Sequence, residues 1–261
     1  MRRLLFLTFL LVIAAALNVG GVSPAETGHK SLRPETLEYK VIFRWGLINK
    51  TAGRATITLG KDPGHYTAQL TAKSEPWADR FYRVRDTLNG KMALEDFRPL
   101  RYEKIAHEGS EIKHDVVDYN YSKPGIVRAD CSRKVWKKKK LFIDETRELE
   151  SEGMAVDMLT AFYYLRTMPF EDWQKGHKVE VDIFSGKRKE KLTFVYHGIE
   201  DAEVNDVKVP SYHVTFRFTG KDGKKTSDDM DAWVSADERR VPVRLSGKLA
   251  VGKVHCELVG Q

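Results

Sequence analysis

Residues 154–167 read MAVDMLTAFYYLRT, and this stretch of the 261-residue chain lacks the two-residue rhythm that runs through most of the rest. Met158, Leu159, Phe162 and Leu165 recur at helical spacing, no turn residue interrupts them, and Met168-Pro169 stops them. Ser151 and Asp157 stand on the approach as candidate caps. The pattern predicts a helix over about 154–167, roughly three turns long.

Outward from that stretch the apolar residues recur in twos, as half-buried antiparallel strands require. Leu37, Tyr39, Val41, Phe43 and Trp45 alternate with Glu38, Lys40, Ile42 and Arg44. Tyr66, Ala68, Leu70 and Ala72 do the same, as do Val179, Val181 and Ile183, and then Tyr212, Val214, Phe216 and Phe218. Turn residues punctuate the runs at Asp62-Pro63-Gly64, Asn89-Gly90, Lys123-Pro124-Gly125, Ser185-Gly186 and Asn205-Asp206. Residues 220–225 (GKDGKK) predict an exposed loop. The runs amount to about a dozen strands at the spacing of sandwiches and barrels. One helix among so many strands has to lay its apolar stripe on the dry face of the sheet. The expected fold is therefore mainly β: a large curved antiparallel sheet, a half-open barrel, wrapped around one central helix.

Near the C-terminus, Trp233 and then Val241, Val243 and Leu245 read as a hairpin completing the barrel wall, with Asp237 to Arg240 turning in solvent. Pro242 donates no backbone hydrogen bond, so it belongs at an edge or a bulge. An edge there would leave the barrel a mouth.

The N-terminus sets the expected location. Arg2 and Arg3 precede an apolar run from Leu4 to Leu17, and Ser23-Pro24-Ala25 offers small residues for cleavage. This reads as a signal peptide over residues 1–25, followed by one β-rich domain over 26–261. The apolar run is short of the ~20 residues of a membrane span. Neither cysteine, Cys131 or Cys256, is near the cleavage region, which argues against a lipoprotein. The expectation is a periplasmic chain that does not span the membrane after processing. Its formal charge of +7, from 44 basic and 37 acidic residues, is a mild surplus that suits anionic envelope surfaces and does not argue for nucleic acid.

Motifs that carry chemistry are scarce. The eight histidines include no His-Glu-x-x-His, and neither cysteine belongs to a zinc-like pair, so no metal is expected. Gly-x-Ser-x-Gly, Ser-x-x-Lys and phosphate-cradling glycine loops are absent, so no catalytic residue and no cofactor is assigned. Acidic groups such as Asp228-Asp229-Met230-Asp231 and Glu171-Asp172 read as solvated loops; a glycan hydrolase would need two carboxylates facing each other across a cleft. Residues 134–141 (KVWKKKKL) hold the densest charge. Lys137, Lys138, Lys139 and Lys140 either contact an anionic envelope component or guard an edge strand and its turn. Cys131 and Cys256 are each in step with apolar positions, so they either form a disulfide or stand apart as small core residues.

Four patches carry a resemblance. They are Trp45-Gly46-Leu47-Ile48 followed by Ala52-Gly53-Arg54-Ala55, the helix ending Tyr163-Tyr164-Leu165-Arg166, the paired strands after it, and Trp233 to Leu245 followed by Gly252. In this order they resemble the bacterial exported family catalogued as domain of unknown function 3108, over roughly residues 35–260. The closing pattern is similar, more distantly, to lipoprotein carriers of the LolA/LolB type, in which a half-open barrel holds acyl chains against an internal helix. That resemblance implies a non-catalytic carrier of an apolar, lipid or acyl-containing ligand. Trp45, Phe162, Tyr163 and Trp233 fall where strands and helix should face one another, and a barrel with one helix leaves space to fill. With Arg166 at the helix end they are the expected ligand-binding residues. The rival expectations are a solidly packed scaffold whose basic face binds anionic glycans or a partner protein, and an unrecognised glycan hydrolase.

Overall fold

Alternation makes the strands, and the computed structural model describes residues 31–220, 222–249 and 251–260. The expected signal peptide, residues 1–25, lies outside the described residues. The first half of the chain forms β1 (Glu35–Trp45), β2 (Ile48–Asp62), β3 (His65–Ser74), a one-turn α1 (Pro76–Asp79), β4 (Val84–Ala93), β5 (Pro99–Glu108), β6 (Glu111–Lys123), β7 (Ile126–Lys137) and β8 (Lys140–Glu152). The second half forms β9 (Ala155–Val156), α2 (Met158–Leu165), β10 (Lys178–Phe184), β11 (Lys189–Val204), β12 (Val207–Thr219), β13 (Met230–Ser235), β14 (Pro242–Lys248) and β15 (Lys253–Gly260).

All fifteen strands belong to one sheet, in the order β8-β7-β6-β5-β4-β3-β2-β1-β15-β14-β13-β12-β11-β10-β9. Strands β8 and β9 are its two edges, yet only Gly153 and Met154 separate them in the chain. A sheet whose first and last strands are chain neighbours has to roll up, and this one closes into a nearly complete barrel. Every pair is antiparallel except β9 with β10. The closing hairpin is therefore not an edge. β14 lies between β13 and β15, and Pro242 sits at a bulge opposite Val234, where its missing N–H interrupts no regular ladder.

The helix is shorter than expected and buried on every side. Residues 155–156 pair with β10 instead of joining it, and Asp157 caps it in extended conformation. The Asp157 carboxylate accepts the N–H of Leu159 at 2.9 Å and of Thr160 at 2.8 Å. All eight residues of α2 are buried, so there is no stripe: a helix enclosed by a barrel is apolar all round. It packs on β3 and β4. Asn89-Gly90, expected to turn, lies within β4 instead; a Cβ on Gly90 would stand 3.1 Å from Leu159 Cδ2, so the missing side chain is what admits the helix. Asn205 and Asp206 do turn, with φ of 50° and 65°.

Candidate functional site

The inner wall of the barrel is apolar around α2 and charged at one end. Strand parity puts Tyr102, Lys104, Ala106 and Glu108 of β5 on one face, and Lys113, Asp115 and Val117 of β6 beside them. Tyr102 and Val117 are fully buried, so that face is the interior. Lys104 stands opposite Asp115, and Asp115 opposite Arg133 of β7. Buried charges need partners, and these have them. Arg133 Nη1 donates to Asp115 at 2.7 Å, and the Glu108 carboxylate contacts Lys113 and lies 4.0 Å from Lys104. Burial raises the Asp115 pKa, with Arg133 opposing it. Burial, then the Glu108 charge, pushes Asp86 up to about 7; its Oδ1 accepts the His107 N–H at 2.9 Å while Oδ2 has no partner among the described residues.

Beside this cluster a cavity of about 300 Å³ lies where β5–β7 face the β10–β11 turn and the end of β12. Its apolar lining is Tyr102, Met158 and Phe218. Its polar lining includes the cations Lys104, Lys113, Arg133, Lys187 and Arg188, and the carboxylates Glu111, Asp115 and Glu190. The Tyr102 hydroxyl is buried without a hydrogen-bond partner among the described residues, which is uncommon in a folded protein. An adjoining groove of about 530 Å³ shares Arg188 and Thr226 and adds Arg147, Lys189, Lys224 and Asp222. Glu190 Oε1 holds the junction, accepting from Thr226 Oγ1 at 2.6 Å and from Arg188 Nη2 at 2.8 Å.

A larger concavity, about 810 Å³, crosses the outer face of β2–β5, and several of its polar groups are hydrogen-bonded. Gln69 donates to Asn89 at 2.9 Å, Asn89 to Glu103 at 3.1 Å, and Glu103 meets His114 at 2.8 Å. That is a wet outer surface, and the smaller inner cavity, with its buried apolar lining and the unpartnered Tyr102 hydroxyl, is the better candidate.

The expected ligand residues are not gathered round one pocket. Phe162 and Tyr163 are core: Phe162 meets Tyr39 edge-on at 6.5 Å, and the Tyr163 hydroxyl donates to the Thr58 carbonyl at 3.3 Å. Trp45 is 55% exposed at the end of β1. Trp233 lies on the outer face, stacked on His213 at 4.8 Å and under Arg244, with its indole N–H donated to Glu200 at 2.7 Å. Arg166 does not line a mouth: its guanidinium is buried, pairs with Glu35, and donates to the carbonyls of Arg239 at 3.0 Å and Arg240 at 3.1 Å. The cavities described above are lined by none of these five. Cys131 and Cys256 are buried free thiols, on β7 and β15, so the disulfide does not form. His255 is buried, and its pKa falls to about 4 through burial and then the Arg244 charge.

Lys138 and Lys139 form the β7–β8 turn, with φ of 50° and 66°, while Lys137 pairs with Glu111 at 3.6 Å and caps the Phe142 ring. Among the described residues no group of three or more metal-ligating side chains converges. No described helix is long and apolar enough to cross a membrane. Lys104, Lys113, Asp115 and Arg133 escaped the sequence reading. Their signal was present: β5 and β6 place charges at positions in step with Tyr102, Ala106, Val117 and Tyr119.

Comparison with known proteins is consistent with this geometry. The family model described as "Protein of unknown function (DUF3108)" matches residues 38–259. No curated protein matches. Among solved structures, a beta-barrel-like protein of domain of unknown function DUF1849 from Brucella abortus is 14% identical over 87% of this chain and 95% of that one, with a TM-score of 0.56. A Bacteroides fragilis protein with a YmcC-like fold is 5% identical over 85% and 92%, with a TM-score of 0.36. These matches bring the family and the barrel, and not the LolA/LolB-type likeness.

Proposed function

The chain belongs to the DUF3108 family, and on that footing we propose that it is an exported, non-catalytic periplasmic protein that binds a small amphipathic ligand bearing an anionic head. The observation that carries this reading is the cavity at the barrel seam, where five cations face three carboxylates and the Tyr102 hydroxyl awaits a partner. An anionic group would meet Lys104, Lys113, Arg133 and Arg188, and a short apolar segment would lie on Met158 and Phe218. The volume of about 300 Å³ is at the small end of ligand pockets. It equals about ten waters, enough for a head and a few carbons, and too little for a whole two-chain lipid. An acyl cargo held between helix and sheet finds no support, because Leu159, Phe162 and Tyr163 fill that space. The inner carboxylates Glu108 and Asp115 are each tied to a cation, which supports a binding role over hydrolysis.

Native mass spectrometry and solvent extraction of the chain recovered from its own cells test this. A co-purifying anionic amphiphile is expected, and Lys104→Met should weaken its retention about tenfold, in line with loss of one charged hydrogen bond. Recovery of the folded chain free of any such species, with no uptake of short-chain phospholipid, would sink the reading.

A further inference from the structure

From β8 through β1 and round to β10 every neighbouring pair is antiparallel, so successive connections alternate between the two ends of the barrel. The β1–β2, β3–β4, β5–β6, β7–β8, β10–β11, β12–β13 and β14–β15 connections share one end. Among the described residues, seven of the ten exposed large apolar side chains lie there. The β1–β2 hairpin tip carries Trp45, Leu47 and Ile48, with Leu47 wholly exposed. Phe81, after α1, is 78% exposed, and Leu141 and Phe142 flank the β7–β8 turn at 50% and 65%. Val251 stands in the β14–β15 turn.

Cations are interleaved with these tips. Arg80, Lys138, Lys139, Lys140 and Lys187 are exposed and have no carboxylate partner among the described residues. Most carboxylates of the same rim are already neutralised: Glu75 by Arg54, Asp79 by Arg85, Glu111 by Lys137, Asp222 by Lys224 and Asp229 by Lys225. Asp228 is the exception. The rim thus presents surplus positive charge around protruding apolar tips. A protein partner fits this poorly, since interface cores exclude lysine and bury a continuous patch. A bilayer surface fits it well. Trp, Leu and Phe settle at the interface while lysines reach the headgroups.

We infer that this end of the barrel docks on the surface of an anionic lipid bilayer, with the β1–β2 tip, Phe81 and Phe142 in the interface and the unpaired lysines against the headgroups. Each such cation contributes about fivefold to binding. Lys187 also lines the seam cavity, so the test rests on Leu47 and Phe142, which line none of the cavities described above.

Hydrogen exchange of the full chain with vesicles of equal parts phosphatidylcholine and phosphatidylglycerol reads the contact by position. Slowed exchange is expected at residues 46–48, 80–82 and 138–142, with no change at residues 94–98, 124–125 and 205–206 at the other end. Pure phosphatidylcholine should give little protection. Leu47→Glu with Phe142→Glu should weaken vesicle binding about tenfold or more. Protection confined to residues 1–30, protection at the opposite end, or full binding by the double variant overturns the inference. Retention on an anionic polysaccharide without any protection by vesicles overturns it too, and assigns the lysines to a glycan.

Discussion

The Ser151 hydroxyl donates to the Asp182 carboxylate across 2.7 Å, joining the last turn-ward residues of β8 to β10. Arg147 adds a second link, donating to the Lys187 carbonyl at 2.7 Å. Side chains, not a backbone ladder, bring the two edges of the sheet together. The seam is thus the place where the barrel can be loosened without unpairing a strand.

Ser151→Ala should therefore cost about 1.5–3 kcal/mol, the size of one hydrogen bond to a charged group. Burial raises the Asp182 pKa, but hydrogen bonds from Ser151 and Lys189 outweigh it and the carboxyl ends below its ordinary range. Its stabilisation is present above the ordinary carboxylate pKa and is lost as pH falls through the lowered one. Urea titrations at pH 7 and pH 3 check both points. A variant deficit equal at the two pH values would count against the link.

Asp86 behaves oppositely. Its pKa of about 7 in the fold lies above the unfolded value, so stability falls as pH rises from about 4 to 7 and the penalty is complete above that. Asp86→Asn keeps an oxygen for the His107 N–H and removes the charge. It should raise stability at pH 8 on the order of 4 kcal/mol, with the gain vanishing near pH 4. Thermal unfolding across that range would show the convergence.

At Gly90 the sign of a substitution is set by one neighbour. Gly90→Ala would place a methyl 3.1 Å from Leu159 Cδ2, and overpacking of this kind costs about 1–3 kcal/mol. In a Leu159→Ala background the same change should be neutral or stabilising. A double-mutant cycle with additive energies would show that helix and strand are not in contact there.

Lys138 and Lys139 hold left-handed conformations that side chains disfavour by about 1–2 kcal/mol each. Replacing them with Asn-Gly should raise the melting temperature, because that pair adopts this turn readily. A lowered melting temperature would place the turn in another geometry.

Burial pushes the Cys131 thiol up to about 11 and the Cys256 thiol higher still. Both should resist a thiol reagent at pH 8 in the folded chain and react together on unfolding. Reductant should leave the melting temperature unchanged. A shift on reduction would reveal a disulfide.

The sequence alone determined the mainly β class and the internal helix, because side-chain period follows from backbone geometry and needs no neighbour; the DUF3108 resemblance rested instead on the order of four short patches. It also located most of the inner faces: Leu37, Tyr39, Tyr66, Leu70, Val181 and Phe216 are all buried. Which strands form the edges was decided only in three dimensions, since β8 and β9 are adjacent in the chain whether or not the sheet curls. The seam cavity arises the same way, from β5–β7 meeting a hairpin more than fifty residues away in the chain. Trp233 was misplaced because a large aromatic is equally stable in a core or stacked on an outer face between His213 and Arg244. Local pattern fixes what a residue can do; the closure of the sheet decides which groups it does it with.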